Sequence, residues 1–78
     1  MTNLEKYKDA FVKAFEIPLD GVENLTYQSI HEWDSVGHMT LMAELEDLFD
    51  ITLEMDDIID FSSYAKGIET LAKYKITF

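Results

Sequence analysis

The residues with the clearest chemical potential are Asp34 and Ser35, which stand directly before a long apolar-periodic run from Val36 to Phe49. Asp and Ser start helices because their side chains accept hydrogen bonds from first-turn N–H groups. Ser35 is therefore predicted at or beside a helix N-terminus, with its hydroxyl near the surface. An anion held there meets free N–H groups and the positive end of the helix dipole. The pair indicates either a simple helix cap or, at Ser35, a site for a covalently held phosphate.

Other catalytic or metal-binding patterns are weak in this chain. His38 is predicted to face the core side of its helix, packed or hydrogen-bonded, and His31 lies in a loop. A Ser-His-Asp hydrolytic triad built on Ser35 lacks the elbow signature of such enzymes. The acids between Asp47 and Asp60 do not have the spacing of an EF-hand loop, and the required Gly is missing. We expect no catalytic residue and no metal site.

Length and composition limit the class of protein. The 78 residues suffice for a single small domain, 1–78, with a thin core. Cysteine is absent, which excludes disulfides and thiolate metal sites. Residues 1–10 lack a signal-peptide apolar core, and no apolar run approaches the ~18 residues of a membrane span. We expect a cytoplasmic monomer that does not enter a membrane.

Charge is distributed very unevenly along the chain. Sixteen acidic residues against six lysines give a net charge of −10, and 13 of the acids lie between Lys13 and Lys66, where no basic residue occurs. Without a basic patch to displace counterions, a nucleic-acid partner is disfavoured. A protein partner with a basic surface is favoured, although an acidic surface also serves simply to keep a small protein soluble.

Helical periodicity predicts the elements that position these residues. Thr2 and Glu5 have capping-box spacing at the start of the first helix, and Pro18 follows its end. A long connection runs from Leu19 to Trp33. The predicted fold class is all-α, a four-helix bundle with three longer helices, one short acidic helix before the last, and a long loop after the first. The helical segments are residues 3–16, 36–50, 54–60 and 64–74.

The second helix carries apolar residues on two faces. Its core seam consists of Leu41, Met42, Leu45, Leu48 and Phe49. Val36, Met39 and Ala43 share the opposite face, and the same helical wheel places acids around them: Glu46, Asp47 and Asp50. An apolar stripe edged with acids is typical of a docking face for a basic partner with an apolar centre. The alternative is that a loop covers Val36 and Met39.

Length, charge, helix order and the motif Asp34-Ser35-Val36 together resemble an acyl carrier protein of the phosphopantetheine-binding family. The resemblance covers the whole chain, and further positions of the second helix match as well: Leu41, Leu45, Glu46 and Phe49. It implies a right-handed antiparallel four-helix bundle. It also implies that a phosphopantetheinyl transferase moves 4′-phosphopantetheine from coenzyme A to the Ser35 hydroxyl, with Asp34 as the preceding motif aspartate. Cargo is then carried as a thioester on the terminal thiol, by a protein without catalysis of its own.

The resemblance also implies a recognition surface on the second helix and the short third helix. Its partners would be the transferase and acyl-loading and acyl-transfer enzymes with basic docking surfaces. The implied partner-binding residues are Val36, Met39, Ala43, Glu46, Asp47, Ile58 and Ile59.

Some positions depart from the family's usual pattern. Val36 stands where Leu is most frequent, and Gly37 and Thr40 stand where fatty-acid carriers usually have acids. Trp33 before the motif and Gly37-His38 after it are more similar to carriers of specialised pathways or to peptidyl carrier domains. Gly37 also leaves room for a close approach to the backbone, or marks a loose first turn.

The leading hypothesis is thus a specialised carrier of acyl or aminoacyl groups. A second hypothesis is an unmodified acidic helical adaptor that binds basic protein partners. A third, a small hydrolase that uses Ser35 and a histidine, requires turnover of an activated ester.

Overall fold

Four α-helices make up the fold, and the computed structural model describes all residues from 1 to 78. The prediction of a small all-helical domain is confirmed, and no β-strand is present. The Cα positions extend over 29 × 27 × 19 Å. None of the helices combines the length and the apolar character needed to span a bilayer. The helices are α1 (Asn3–Phe15), α2 (Ser35–Phe49), α3 (Met55–Asp60) and α4 (Tyr64–Ala72).

Helix α1 begins at the predicted capping box. The Glu5 amide donates to Thr2 Oγ1 at 3.1 Å, and the Thr2 amide donates to Glu5 Oε1 at 2.8 Å, so two otherwise unpaired N–H groups are satisfied. The helix ends at Phe15 because Glu16 adopts a left-handed conformation, with φ at 55°.

The connection between α1 and α2 is fixed to the junction of α3 and α4 by backbone hydrogen bonds. It contains one 3-10 turn, Val22–Asn24. Further along, the Tyr27 amide donates to the Ser62 carbonyl at 2.8 Å, and the Tyr64 amide donates to the Leu25 carbonyl at 2.9 Å. These bonds hold the connection across the helices and bring Tyr27 and Ser62 together.

The core is rich in aromatic side chains. Trp33 is fully buried, and its ring lies 5.5 Å from that of Phe11 and 5.4 Å from that of Phe15. Trp33 therefore anchors the end of the connection in the core, one residue before Asp34. This anchoring fixes where α2 begins. The buried hydrophobic residues are Tyr7, Ala10, Phe11, Phe15, Val22, Trp33, Leu41, Met42, Leu45, Leu53, Phe61, Tyr64 and Leu71.

Candidate functional site

The N-terminus of α2 divides two roles between Asp34 and Ser35. Asp34 is the N-cap: its Oδ1 accepts from the Gly37 amide at 2.8 Å, and its carbonyl accepts from the His38 amide at 2.7 Å. Ser35 is the first helical residue, is exposed, and uses its hydroxyl in no hydrogen bond within the protein. Because Asp34 does the capping, the Ser35 hydroxyl is free for chemistry at the positive end of the helix.

Gly37 accommodates the connection that precedes the helix. A Cβ atom at this position would lie 2.0 Å from the Glu32 carbonyl oxygen and 3.3 Å from Phe15 Cε1. The close approach expected from the sequence is therefore made by the protein's own backbone. Gly37 allows the backbone at Glu32 to pack against the first turn of α2.

An apolar cleft of about 390 Å³ opens beside Ser35. One side belongs to α2 and the other to α3, with Tyr27 and Ser62 contributed by the connection and the α3–α4 junction. The cleft is lined by Tyr27, Ser35, His38, Met39, Met55, Ile58, Ile59, Phe61 and Ser62. A flexible chain attached at Ser35 would have apolar surface within immediate reach.

Both ring nitrogens of His38 are hydrogen-bonded inside the protein. The indole Nε1 of Trp33 donates to Nδ1 at 2.9 Å, and Nε2 lies 2.7 Å from the Ile58 carbonyl oxygen. An indole N–H can only donate and a carbonyl can only accept, so Nδ1 is unprotonated and Nε2 carries the hydrogen. The prediction of a packed, hydrogen-bonded histidine is confirmed. Neither nitrogen is available to activate Ser35.

The outer face of α2 is exposed, as the helical wheel predicted. Val36 is 75% exposed and Met39 is 52% exposed, so no loop covers them. Ala43 is exposed too. On α3, Ile59 is 69% exposed, whereas Ile58 is half-buried and turns toward the cleft and the core.

Met55 extends this apolar surface, although the sequence did not predict it as a partner-binding residue. It is 67% exposed and lines the cleft together with Ile59. The signal was available in principle, because Met55 and Ile59 are four residues apart and share a face of a helix. The helix is so short that its periodicity was not decisive.

The acids predicted around this face differ in their surroundings. Asp47 and Asp50 are exposed. Glu46 is half-buried, and its Oε2 accepts from the Leu53 amide at 2.8 Å. This hydrogen bond fixes the link between α2 and α3. Asp56 and Asp60 on α3 are also exposed, and they line a separate polar depression together with Asp57, Lys73 and Tyr74.

A second polar cluster, centred on Asp57, was not predicted. Asp57 is 8% exposed; its Oδ2 accepts from the Tyr74 hydroxyl at 2.5 Å, and its Oδ1 pairs with Lys73. These hydrogen bonds, from Lys73 first and Tyr74 second, hold the pKa of Asp57 below its usual range. The Tyr74 oxygen accepts from the Glu54 amide at 2.9 Å. No group of His, Asp and Glu side chains is arranged to hold a metal ion.

Comparison with known proteins does not assign this chain to a family: no protein-family model, curated protein or solved structure matches it. The fold and the site together define a small, acidic, four-helix domain. Its distinguishing feature is a free serine hydroxyl at a helix N-terminus, beside an apolar cleft.

Proposed function

We propose that this chain is an acyl carrier protein of the phosphopantetheine-binding family, with Ser35 as the attachment residue. The observation that carries the proposal is the placement of Ser35. Its exposed hydroxyl lies at the N-terminus of α2, is released from capping by Asp34, and opens onto the apolar cleft. The resemblance in the Asp34-Ser35-Val36 motif and in helix order points to the same residue.

The residues around Ser35 are suited to a phosphodiester-linked arm. The amides of Ser35 and Val36 belong to the first helical turn, where N–H groups and the helix dipole favour an anion. The cleft beside them offers apolar side chains to a flexible chain. When bound, phosphopantetheine supplies a terminal thiol for thioester formation. The chain has no cysteine of its own to supply one.

In the transferase reaction, the Ser35 hydroxyl loses its proton to a base and its oxygen forms a bond to the pantetheine-bearing phosphorus of coenzyme A. The pyrophosphate P–O bond of coenzyme A breaks, and adenosine 3′,5′-bisphosphate leaves. This chain's part is to expose the hydroxyl and to hold the first turn of α2 in place. Asp34 Oδ1 does so by accepting from the Gly37 amide at 2.8 Å. The activating base belongs to the transferase, since both nitrogens of His38 are occupied.

The two hydrogen bonds of the His38 ring also favour a carrier over a hydrolase. A hydrolytic serine needs a base within hydrogen-bond reach that can accept its proton. Nδ1 of His38 accepts from Trp33 and Nε2 is directed at the Ile58 carbonyl. His31 is exposed in the connection. The proposed protein is therefore a substrate and carrier, and the chemistry belongs to its partner enzymes.

The proposed partner surface is the exposed apolar face shared by α2 and α3. Val36 and Met39 on α2 and Ile59 on α3 present apolar side chains near Ser35. Exposed acids lie on the same two helices or at their ends: Asp47, Asp50, Asp56 and Asp60. Enzymes with basic rims and an apolar docking centre fit this surface, and the net charge of −10 favours rapid, salt-sensitive association with them. The cargo is an acyl or aminoacyl group in a specialised pathway.

Intact-mass measurement after incubation with coenzyme A and a broad-specificity phosphopantetheinyl transferase tests this proposal. We expect the wild-type chain to gain one phosphopantetheine and the Ser35→Ala variant to gain none. Ser62→Ala is the matched control, because Ser62 is an exposed serine that lines the same cleft. It should be modified at the wild-type rate.

A wild-type chain that is not modified would favour the alternative function, an unmodified acidic adaptor. If a transferase proven active on another carrier does not modify the wild-type chain, the carrier proposal fails. An acidic adaptor would then be indicated if basic protein partners bind wild type and Ser35→Ala equally.

A further inference from the structure

Helix α3 forms the far side of the cleft beside Ser35 and is too short to hold its own position. It has six residues, fewer than an isolated helix needs for stability in water. Its N-cap residue, Glu54, makes no side-chain capping bond. Asp57 is its one buried residue. The position of α3 must therefore be set by contacts from other elements.

Polar contacts hold α3 from two sides. Asp57 is bonded to Lys73 and Tyr74, which follow α4. The Ile58 carbonyl accepts from Nε2 of His38, which belongs to α2, at 2.7 Å. The Glu46–Leu53 bond joins α2 to the link that precedes α3, and the His38 contact joins α2 to α3 itself. His38 lies three residues after Ser35 on α2.

The orientation of the His38 ring is fixed before it meets α3. The fully buried Trp33 donates its indole N–H to Nδ1 at 2.9 Å, which leaves Nε2–H directed at Ile58. The rings of Tyr27 and Phe61 pack edge-on against the imidazole, with centroids at 5.5 and 6.2 Å. His38 thus connects the core, through Trp33, to the backbone of α3.

We propose that His38 is a positioning residue that fixes α3 relative to Ser35. It thereby sets the distance between α2 and α3 across the exposed apolar face that partner enzymes contact. The second part of this inference rests on the proposed carrier function. A partner that contacts Met39 on α2 and Ile59 on α3 together benefits from a fixed spacing, because a preorganised surface loses less conformational entropy on binding.

Three substitutions of His38 separate its two hydrogen bonds. The amide nitrogen of Gln occupies the place of Nε2, so His38→Gln retains the donor to Ile58. The side chain of Asn reaches only the place of Nδ1, so His38→Asn retains an acceptor for Trp33 but loses the bond to α3. His38→Phe keeps a ring of similar size and loses both bonds.

Amide hydrogen exchange in the unmodified protein gives the first readout. We expect protection of the Ile58, Ile59 and Asp60 amides to fall roughly two- to tenfold in His38→Asn and His38→Phe, the range expected for one net hydrogen bond. His38→Gln should stay near wild type. Protection in α1 should be unchanged in all variants that fold. If His38→Phe does not fold, the comparison of His38→Gln with His38→Asn decides the test.

Transferase kinetics at Ser35 give the second readout. We expect His38→Asn to raise KM several-fold with little change in kcat, and His38→Gln to restore the wild-type KM. His31→Gln, in the exposed connection, is the matched control and should change neither constant. A destabilising variant on α4, Ile68→Val, should leave KM unchanged, which separates positioning from general loss of stability.

Equal α3 protection in the Gln and Asn variants would overturn the proposal, as would a KM that does not differ between them. If the wild-type chain is not modified at Ser35, the carrier function fails by itself. The exchange measurement would still decide whether His38 positions α3, because it requires no modification.

Discussion

Two tyrosines that touch in the core illustrate how individual residues determine stability. The rings of Tyr7 and Tyr64 lie 4.8 Å apart, and both side chains are buried. The Tyr7 hydroxyl donates to the Tyr64 carbonyl at 2.6 Å. The Tyr64 hydroxyl is buried and has no hydrogen-bond partner. A buried hydroxyl without a partner costs about 1–3 kcal/mol of folding stability. The Tyr7 hydroxyl therefore stabilises the fold, and the Tyr64 hydroxyl destabilises it.

We predict that Tyr64→Phe raises the free energy of unfolding by about 1 kcal/mol, because it removes an unsatisfied hydroxyl. Tyr7→Phe is the matched variant and should lower it by about 1–2 kcal/mol, because a hydrogen bond is lost. Urea denaturation of the two variants measures both changes. A destabilised Tyr64→Phe would mean that its hydroxyl is satisfied in solution.

The ionisation of buried tyrosines adds a dependence on alkaline pH. Burial raises the pKa of Tyr7 well above its ordinary value, so the folded state favours the neutral phenol. Its stabilising contribution is complete below the ordinary tyrosine pKa of about 10 and is lost as pH rises beyond it. We predict base-induced unfolding above about pH 10. Circular dichroism measured against pH should show a shallower loss of helical signal in Tyr7→Phe than in wild type.

At the scale of elements, the positions of α2 and α3 depend on a few specific contacts between segments. The first turn of α2 fits against the connection because residue 37 has no side chain. Helix α3 is held on one side by His38 and on the other by Asp57. Both positions therefore depend on residues whose roles are not expressed in helical periodicity.

We predict that Gly37→Ala destabilises the protein by roughly 2 kcal/mol, although Ala is the better helix former by about 1 kcal/mol. The new Cβ would lie 2.0 Å from the Glu32 carbonyl oxygen, so the connection must move. Thr40→Ala, an exposed change on the same helix, is the control and should be neutral or slightly stabilising. Chemical denaturation compares them; a stabilising Gly37→Ala would contradict this packing.

The Asp57 cluster should make stability depend on acid pH. Hydrogen bonds from Lys73 and Tyr74 lower the pKa of Asp57, so its contribution is complete above the ordinary carboxyl pKa of about 4 and is lost as pH falls through the lower folded value. We predict that Asp57→Asn is less stable than wild type at neutral pH and that this difference narrows below pH of about 4. Thermal midpoints measured against pH test this; a constant difference would contradict it.

For the whole molecule, unbalanced negative charge is the dominant feature. The net charge is −10, and the ion pairs number three: Lys8–Glu23, Lys13–Asp9 and Lys73–Asp57. Most acids therefore have no basic partner and repel one another. The same charge that favours basic partners opposes the compact state.

We predict that the thermal midpoint rises as NaCl increases from about 0.01 to about 1 M, because the Debye length falls from about 30 Å to about 3 Å. Differential scanning calorimetry across this range measures the effect. An unchanged midpoint would mean that repulsion among the acids contributes little to stability.

The sequence predicted the fold class and much of the α2 geometry, because these depend on periodicity. Leu41, Met42 and Leu45 are buried, and Val36 and Met39 are exposed, as the helical wheel places them. Contacts between elements were not predictable in this way.

The bond from Trp33 to His38 crosses a loop–helix boundary, where helical spacing does not apply. The bonds from Tyr74 to Asp57 and from Glu46 to the Leu53 amide depend on how separate segments fold together. The cleft beside Ser35 is formed by such segments, so its lining could be only partly anticipated.

Locating the modified hydroxyl tests the carrier proposal most directly. After reaction with coenzyme A and transferase, cleavage at glutamate releases residues 33–44, in which Ser35 and Thr40 are the two hydroxyl side chains. Fragmentation mass spectrometry then identifies the residue that carries phosphopantetheine. We predict Ser35 alone. Modification at Thr40 or at a serine outside this peptide, or none with an active transferase, would contradict the proposal.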